Sequence, residues 1–215
     1  MVERLQGELT GATFVDLDGT LLTDNSMHIF MRRLPGMLRR KGAFGSAIAS
    51  LWWTSLRSLR AVSHHDMKWH LTKIGRRHLE EEDWEELAGI MAKSINPSVA
   101  DYIESRRSRG CVTYIATAAA EEYAVPLCRL LGYDGVLATK YTEDLSDYEE
   151  LSRHAKHDAI ERLMQDGNLR LESFLTDHTD DLPTAKAYPL LTILVGASEK
   201  TADAFREAGV SRYIR

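Results

Sequence analysis

The sequence predicts an α/β protein, a Rossmann-like parallel sheet covered by helices and interrupted early by an inserted all-helical segment. Three observations point there. After Pro97, short β-rich runs alternate with amphipathic helical patterns, as in strand–helix–strand units of a parallel sheet. Between residues 24 and 97 the composition changes character and only helical periodicity is found. Several of the β-rich runs end in Asp or Thr, and open sheets of this kind bind ligands beyond the carboxyl ends of their strands. The expected partition is a core of residues 1–23 and 98–215 with an insert of residues 24–97.

The first strand is read at Ala12–Leu17, an apolar run between Gly11 and the Asp-Gly turn signal in "DLDGT". Asp16 falls at its end. Asp18, two residues on, points to the same side of an extended chain. Two carboxylates in one small volume repel unless a divalent cation or a shared proton answers them. A solvated strand-to-turn corner would also place Asp and Gly here.

The insert holds 12 Lys and Arg against 8 Asp and Glu, while the rest of the chain holds 15 against 24. All four tryptophans and five of the seven methionines lie in it. "SMHIFMRRLPGMLRR" places Met27, Phe30, Met31 and Leu34 on one helical face, and "SHHDMKWHLTKI" does the same with Met67, Leu71 and Ile74. "EEEDWEELAGIMAKSI" opens with acids suited to a helix amino terminus and continues with Trp84, Leu87, Ile90 and Met91. The Trp and Met content reads as helical core in preference to a lipid-binding face.

Beyond Pro97 a helix is read from Val99 to Arg109, ended by Gly110, then a strand in "CVTYIAT". "EEYAVPLCRLLG" is helical, with Pro126 starting or kinking it, and "GVLAT" is the next strand. "KHDAIERLMQDG" is a helix closed by Gly167, "SFLTD" a strand ending in Asp177, "LLTILVG" another strand, and "TADAFREAG" a last helix.

The whole chain of 215 residues, with a formal charge of -5, carries no global nucleic-acid signature. Cys111 and Cys128 imply no disulfide framework and fit a reducing, cytoplasmic setting. The amino terminus "MVERLQGELT" has no apolar targeting stretch, and Ala43–Leu56 is too short to span a bilayer.

Asp177, with Asp181 four residues on, would face the same rim as Asp16 and Asp18. Thr117 ends "YIAT" and is followed by small residues whose amides can approach an anion. Lys156 is the candidate cation, with Lys140 a competitor. Taken singly, Thr117 reads equally as an ordinary strand-end residue and Lys156 as a solvated one. "DLDGTLL", "YIAT", "KHDAI" and "DHTDDLP", in this order from about Phe14 to Gly196, resemble the haloacid dehalogenase-like superfamily, in the branch of phosphoserine and histidinol-phosphate phosphatases. The helical insert is similar to that family's cap. Two positions depart from the pattern. Asn25 stands where relatives often carry an acid and no Glu follows the first motif, which argues against phosphoserine as substrate. Ala119 replaces a small hydroxyl residue.

The resemblance implies a phosphatase acting on a small phosphorylated metabolite. Asp16 would be the nucleophile and Asp18 the acid and base. Mg2+ would be held by Asp16, the Asp18 main-chain carbonyl and Asp177, with Asp181 ordering its water shell. Gly19, Thr20, Thr117, Ala118 and Lys156 would bind the phosphoryl oxygens. A non-catalytic relative, or a lipid-phosphate-directed one, whose basic, Trp-rich cap binds a membrane surface or partner is the alternative. Arg32, Arg33, Arg57 and Arg60 are the candidates for drawing in an anionic substrate. "HHDMKWH" has the look of a metal site without supporting spacing. His178 faces either phosphate or solvent.

Overall fold

The computed structural model describes residues 9–214; the first eight residues of the segment read for a targeting signal lie outside the described residues. The strands are β1 (Thr10–Val15), β2 (Val112–Ala120), β3 (Gly135–Thr139), β4 (Leu169–Thr176), β5 (Thr192–Val195) and β6 (Arg212–Ile214). They form one sheet in the order β3-β2-β1-β4-β5-β6, and every pairing is parallel. With β1 central, its side chains are covered on both faces. Ala12, Phe14 and Val15 are fully buried, and Phe14 stacks on Tyr114 of β2 with ring centroids 5.3 Å apart. The chain builds one wing of the sheet through β2 and β3 and the other from β4 onward. The β1/β4 boundary is therefore where a crevice opens at the strand ends.

The insert folds as α1 (Ser26–Arg40), α2 (Phe44–Ser58), α3 (His64–His78) and α4 (Glu81–Met91). Local chemistry sets their starts. The Asn25 side chain accepts the His28 N–H, the Ser63 hydroxyl accepts the Asp66 N–H, and Glu80 and Asp83 form a capping box. Gly75 of α3 meets Trp84 so closely that a Cβ there would lie 2.7 Å from the indole, which lets α3 and α4 close against each other. The chain enters and leaves the insert side by side, with Thr23 N–H on Ser94 O and Asn96 N–H on Leu21 O, both at 2.8 Å. Phe30, Leu34, Met67, Leu71, Trp84 and Leu87 pack in one cluster with Val15, Leu21, Ile115 and Tyr123. The insert thus shares its apolar core with the sheet.

The remaining helices are α5 (Pro97–Arg107), α6 (Glu121–Leu131), α7 (Arg153–Asp166), α8 (Leu182–Ala187) and α9 (Glu199–Glu207). Several details differ from the sequence reading. β1 stops at Val15, because the backbone then coils into a wide turn with Leu21 N–H on Asp16 O and Leu22 N–H on Leu17 O. β2 runs on to Ala120, its pairing with β3 slipping between Ala116 and Ala120, so Thr117 lies inside a strand. Pro126 does not start α6, leaving the other of the two readings; it is buried within the helix. The helix carrying Lys156 begins three residues earlier, at Arg153. The short α8 and edge strand β6 carry too few patterned residues to be read. α2 occupies the apolar stretch judged too short for a bilayer, and no helix among the described residues is long and apolar enough to cross a membrane.

Candidate active site

Asp16 leaves β1 at the β1/β4 boundary, its N–H held by Leu175 O at 2.9 Å. Its Oδ1 accepts a hydrogen bond from Lys156 Nζ at 2.9 Å. Lys156, 4% exposed, also lies 2.7 Å from Asp181 Oδ1, and the other Asp181 oxygen accepts the Thr176 hydroxyl at 2.7 Å. The lysine is thereby fixed between two carboxylates. Burial pushes Asp16 up to about 7 against the pull of Lys156, with Asp181 and Asp18 adding to the rise. For Lys156 burial opposes the charge, but Asp16 and Asp181 outweigh it and raise its pKa.

Asp18 is held by the start of the insert: Ser26 donates its N–H to Oδ1 at 2.6 Å and its hydroxyl to Oδ2 at 3.0 Å. Burial raises its pKa despite these two donors. Asp177 accepts the Thr20 hydroxyl at 3.0 Å, and burial raises its pKa as well. Gly19 has φ +78, and a Cβ there would stand 2.2 Å from Asp177 Oδ2. Only glycine lets the loop approach that carboxylate.

A cavity of about 450 Å³ joins these groups, lined by Asp16, Asp18, Gly19, Thr117, Ala118, Lys156, Asp177 and Asp181. The Thr117 hydroxyl accepts the Ala119 N–H at 3.0 Å and keeps its own proton to donate. Thr20 is fully buried with its hydroxyl committed to Asp177, so it orients a carboxylate and does not line the cavity. Lys140 is exposed and lies outside the cavity, which leaves Lys156 as the lysine beside Asp16. Arg32, Arg33, Arg57 and Arg60 do not line it either. His178 lines the rim but is exposed, its Nδ1 accepting the Asp180 N–H. The histidines of "HHDMKWH" disperse: His64 lines the cavity, His65 bonds Tyr148 O at 2.8 Å, and His70 stacks on Trp53.

Lys68 was not singled out in the sequence. It projects from α3, 5% exposed, donating to Ala118 O at 2.9 Å and pairing with Glu150. A signal was present: Lys68 begins the stripe Lys68, Leu71, Thr72, Gly75, whose other members are apolar or small, and all four are buried. Tyr123, from α6, lines the same cavity, and its buried hydroxyl has no hydrogen-bond partner among the described residues.

The donor set suits a hard divalent cation. Asp16, Asp18, Asp177 and Asp181 line one cavity, and Lys156 pairs with two of them, Asp16 and Asp181. No three His, Cys, Asp or Glu side chains among the described residues converge as a ready cluster. A cation would accordingly rest on Asp16, Asp177 and a main-chain carbonyl.

Comparison with solved structures shows the same fold in other proteins. A protein of unknown function from Bordetella pertussis Tohama I superposes with a TM-score of 0.73 at 16% identity, covering 97% of this chain and 99% of that one. A haloacid-dehalogenase-family hydrolase from Salmonella enterica serovar Typhi gives 0.65 at 13% identity, covering 96% and 68%. A phosphoserine phosphatase holding a phospho-aspartyl intermediate analogue gives 0.59 at 17%, covering 96% and 94%. No curated protein matches the chain by sequence. The family description "haloacid dehalogenase-like hydrolase" matches residues 13–186, most of the chain, and the strand-end aspartates with their buried lysine fall within it: the protein belongs to the haloacid dehalogenase-like hydrolases.

Proposed function

We propose that the protein is a Mg2+-dependent, cytoplasmic phosphatase that hydrolyses a small phosphate monoester in two displacements. The observation that carries this reading is the pairing of a buried, lysine-held Asp16 with a second carboxylate, Asp18, anchored separately and kept at a raised pKa. One is equipped to attack, the other to give up a proton. In the first displacement Asp16 attacks phosphorus and becomes an aspartyl-phosphate, while Asp18 protonates the departing alkoxide. In the second, Asp18 takes a proton from the water that attacks the acyl phosphate. Lys156, the Thr117 hydroxyl and the amide of Ala118 offset charge on the transferred group. Bound at Asp16, Asp177 and the Asp18 carbonyl, Mg2+ would neutralise phosphoryl oxygens.

Asp181 fixes Lys156, and Thr20 fixes Asp177. We take residues 24–97 as the cap and residues 1–23 with 98–215 as the catalytic core, the cap supplying Lys68, His64 and Asn25 to the face of the cavity that meets the leaving group. The superposed phosphoserine phosphatase supports the covalent route through the phospho-aspartyl analogue it holds. Free Cys111 and Cys128 fit a reducing compartment. A panel of phosphate monoesters assayed with Mg2+ and with EDTA tests the reading. Mg2+-dependent release of phosphate from at least one small ester is expected, and inertness toward the whole panel would overturn it.

A further inference from the structure

α2 is built inside out. Its buried residues are Ala47 and Ser50, while Phe44, Ile48, Leu51 and Trp52, together with Leu59 just past its end, are 53–77% exposed. At 100° per residue these five fall within an arc of about 100°. Four of the five serine and threonine hydroxyls on the helix are turned onto its own backbone, Ser50 to Ala47 O, Thr54 to Ser50 O, Ser55 to Leu51 O and Ser58 to Thr54 O, while Ser46 bonds His78 of α3. The polar groups are satisfied locally and the large apolar ones are left in water. That arrangement opposes folding unless something covers the face.

The surrounding charge says what covers it. Residues 25–65 hold seven Lys and Arg and no Asp or Glu. Arg32, Arg33, Arg39 and Arg60 are exposed, and none forms a salt bridge among the described residues. α1 carries the first three and is joined to α2 by the short connection 41–43, so these exposed arginines lie on the helix next to the apolar face. A second copy of this chain is a poor occupant, because pairing two such faces would bring together the arginines that form no salt bridge, Arg32, Arg33 and Arg39, Arg40 and Lys41 at the turn being already paired with Glu86, Glu80 and Asp83. None of its five apolar residues lines the active-site cavity. An exposed apolar strip with a tryptophan and a cationic border matches the interfacial zone of an anionic bilayer.

We infer that α2 docks the protein in the plane of an anionic membrane surface, with Phe44, Ile48, Leu51 and Trp52 in the acyl boundary and Arg32, Arg33 and Arg39 on the lipid headgroups. This is peripheral attachment and requires no spanning segment.

The test is co-sedimentation of the full chain with vesicles of phosphatidylcholine alone and with one third phosphatidylglycerol, alongside the variants Ile48→Ser/Trp52→Ser and Arg32→Gln/Arg33→Gln/Arg39→Gln. Both sets replace exposed side chains, and unchanged circular dichroism and melting temperature establish that the fold is kept. The wild type is expected to sediment with the anionic vesicles only, with a blue shift of tryptophan emission lost in the serine variant. The triple arginine variant should weaken binding by roughly a hundredfold and the serine variant by roughly tenfold or more. Wild-type protein that stays in solution with anionic vesicles overturns the inference, as does sedimentation unchanged in the serine variant. A concentration-dependent dimer abolished by Ile48→Ser/Trp52→Ser without vesicle binding would assign the face to a second copy and equally overturn it.

Discussion

Asp16 and Lys68 reach the same cavity by different routes, one from the end of the central strand and the other from the second turn of a helix in the insert. Asp16 is fixed by what surrounds it in the sheet: a main-chain bond to Leu175 and the clamp formed by Lys156 and Asp181. Lys68 is fixed by packing, its helix pressed against Trp84 through Gly75 and its ammonium caught between Ala118 O and Glu150. Strand-end chemistry follows from topology and repeats wherever a parallel sheet opens. Insert chemistry follows from how four helices settle onto that sheet. The core should therefore set whether the reaction occurs, and the insert should set which ester enters.

The sharpest way to break this division is to remove the core nucleophile. Asp16→Asn should lower turnover of an aryl phosphate by at least about a thousandfold while leaving the melting profile cooperative. A steady-state assay retaining a tenth of wild-type activity would end the covalent account. Asp18→Asn tests the other carboxylate. Alkyl phosphates, whose leaving groups need a proton, should slow by about 10²–10⁴, and aryl phosphates much less. Equal slowing of both classes would reduce Asp18 to an orienting group.

Lys156→Met probes the clamp. It would leave Asp16 and Asp181 buried without their cation, so urea unfolding should show a loss of about 3–5 kcal/mol in addition to lost activity. On the insert side, Lys68→Met should raise KM for the preferred ester by about tenfold and change kcat on a small aryl phosphate little, if the insert meets the leaving group as proposed. A matched fall in both kcat values would move Lys68 into the reaction itself.

The smallest effect concerns pH. The folded-state pKa of Asp16 is raised from an ordinary 3.8 to about 7, so its ionisation is easier in the unfolded chain. Metal-free protein should lose stability as pH climbs from about 4 through 7. Mg2+ must displace a proton at pH 5 but meets the carboxylate at pH 8, so the rise in melting temperature on adding Mg2+ should be larger at pH 8. Equal rises at both values would contradict the buried protonation assigned to Asp16.

The same contrast explains what could be read in the sequence. Asp16, Asp18, Thr117, Lys156, Asp177 and Asp181 announce themselves because strand ends, short motifs and helix starts are local signals, and the parallel sheet that gathers them is implied by strand–helix alternation. Thr20 belongs to the phosphate-binding groups that the family resemblance implies. Nothing local says that its hydroxyl turns to Asp177, a residue 157 positions away. Lys68 stayed hidden because a lysine in a helix ordinarily means solvent, and only the tertiary fit shows it 5% exposed. The insert's tryptophans divide the same way. Trp69 and Trp84 are buried, as the core reading expects, whereas Trp52 is 63% exposed because α2 packs by its small residues.

The covalent step is tested most directly by trapping it. Enzyme mixed with a phosphoryl-donating aryl phosphate and Mg2+, quenched during turnover and reduced with borohydride, would carry homoserine wherever an aspartyl-phosphate had formed, and peptide mass spectrometry locates that residue. We expect conversion at position 16 alone, and none in Asp18-only peptides or in the Asp16→Asn protein. Conversion at another aspartate, or steady turnover with no converted residue, would contradict the account.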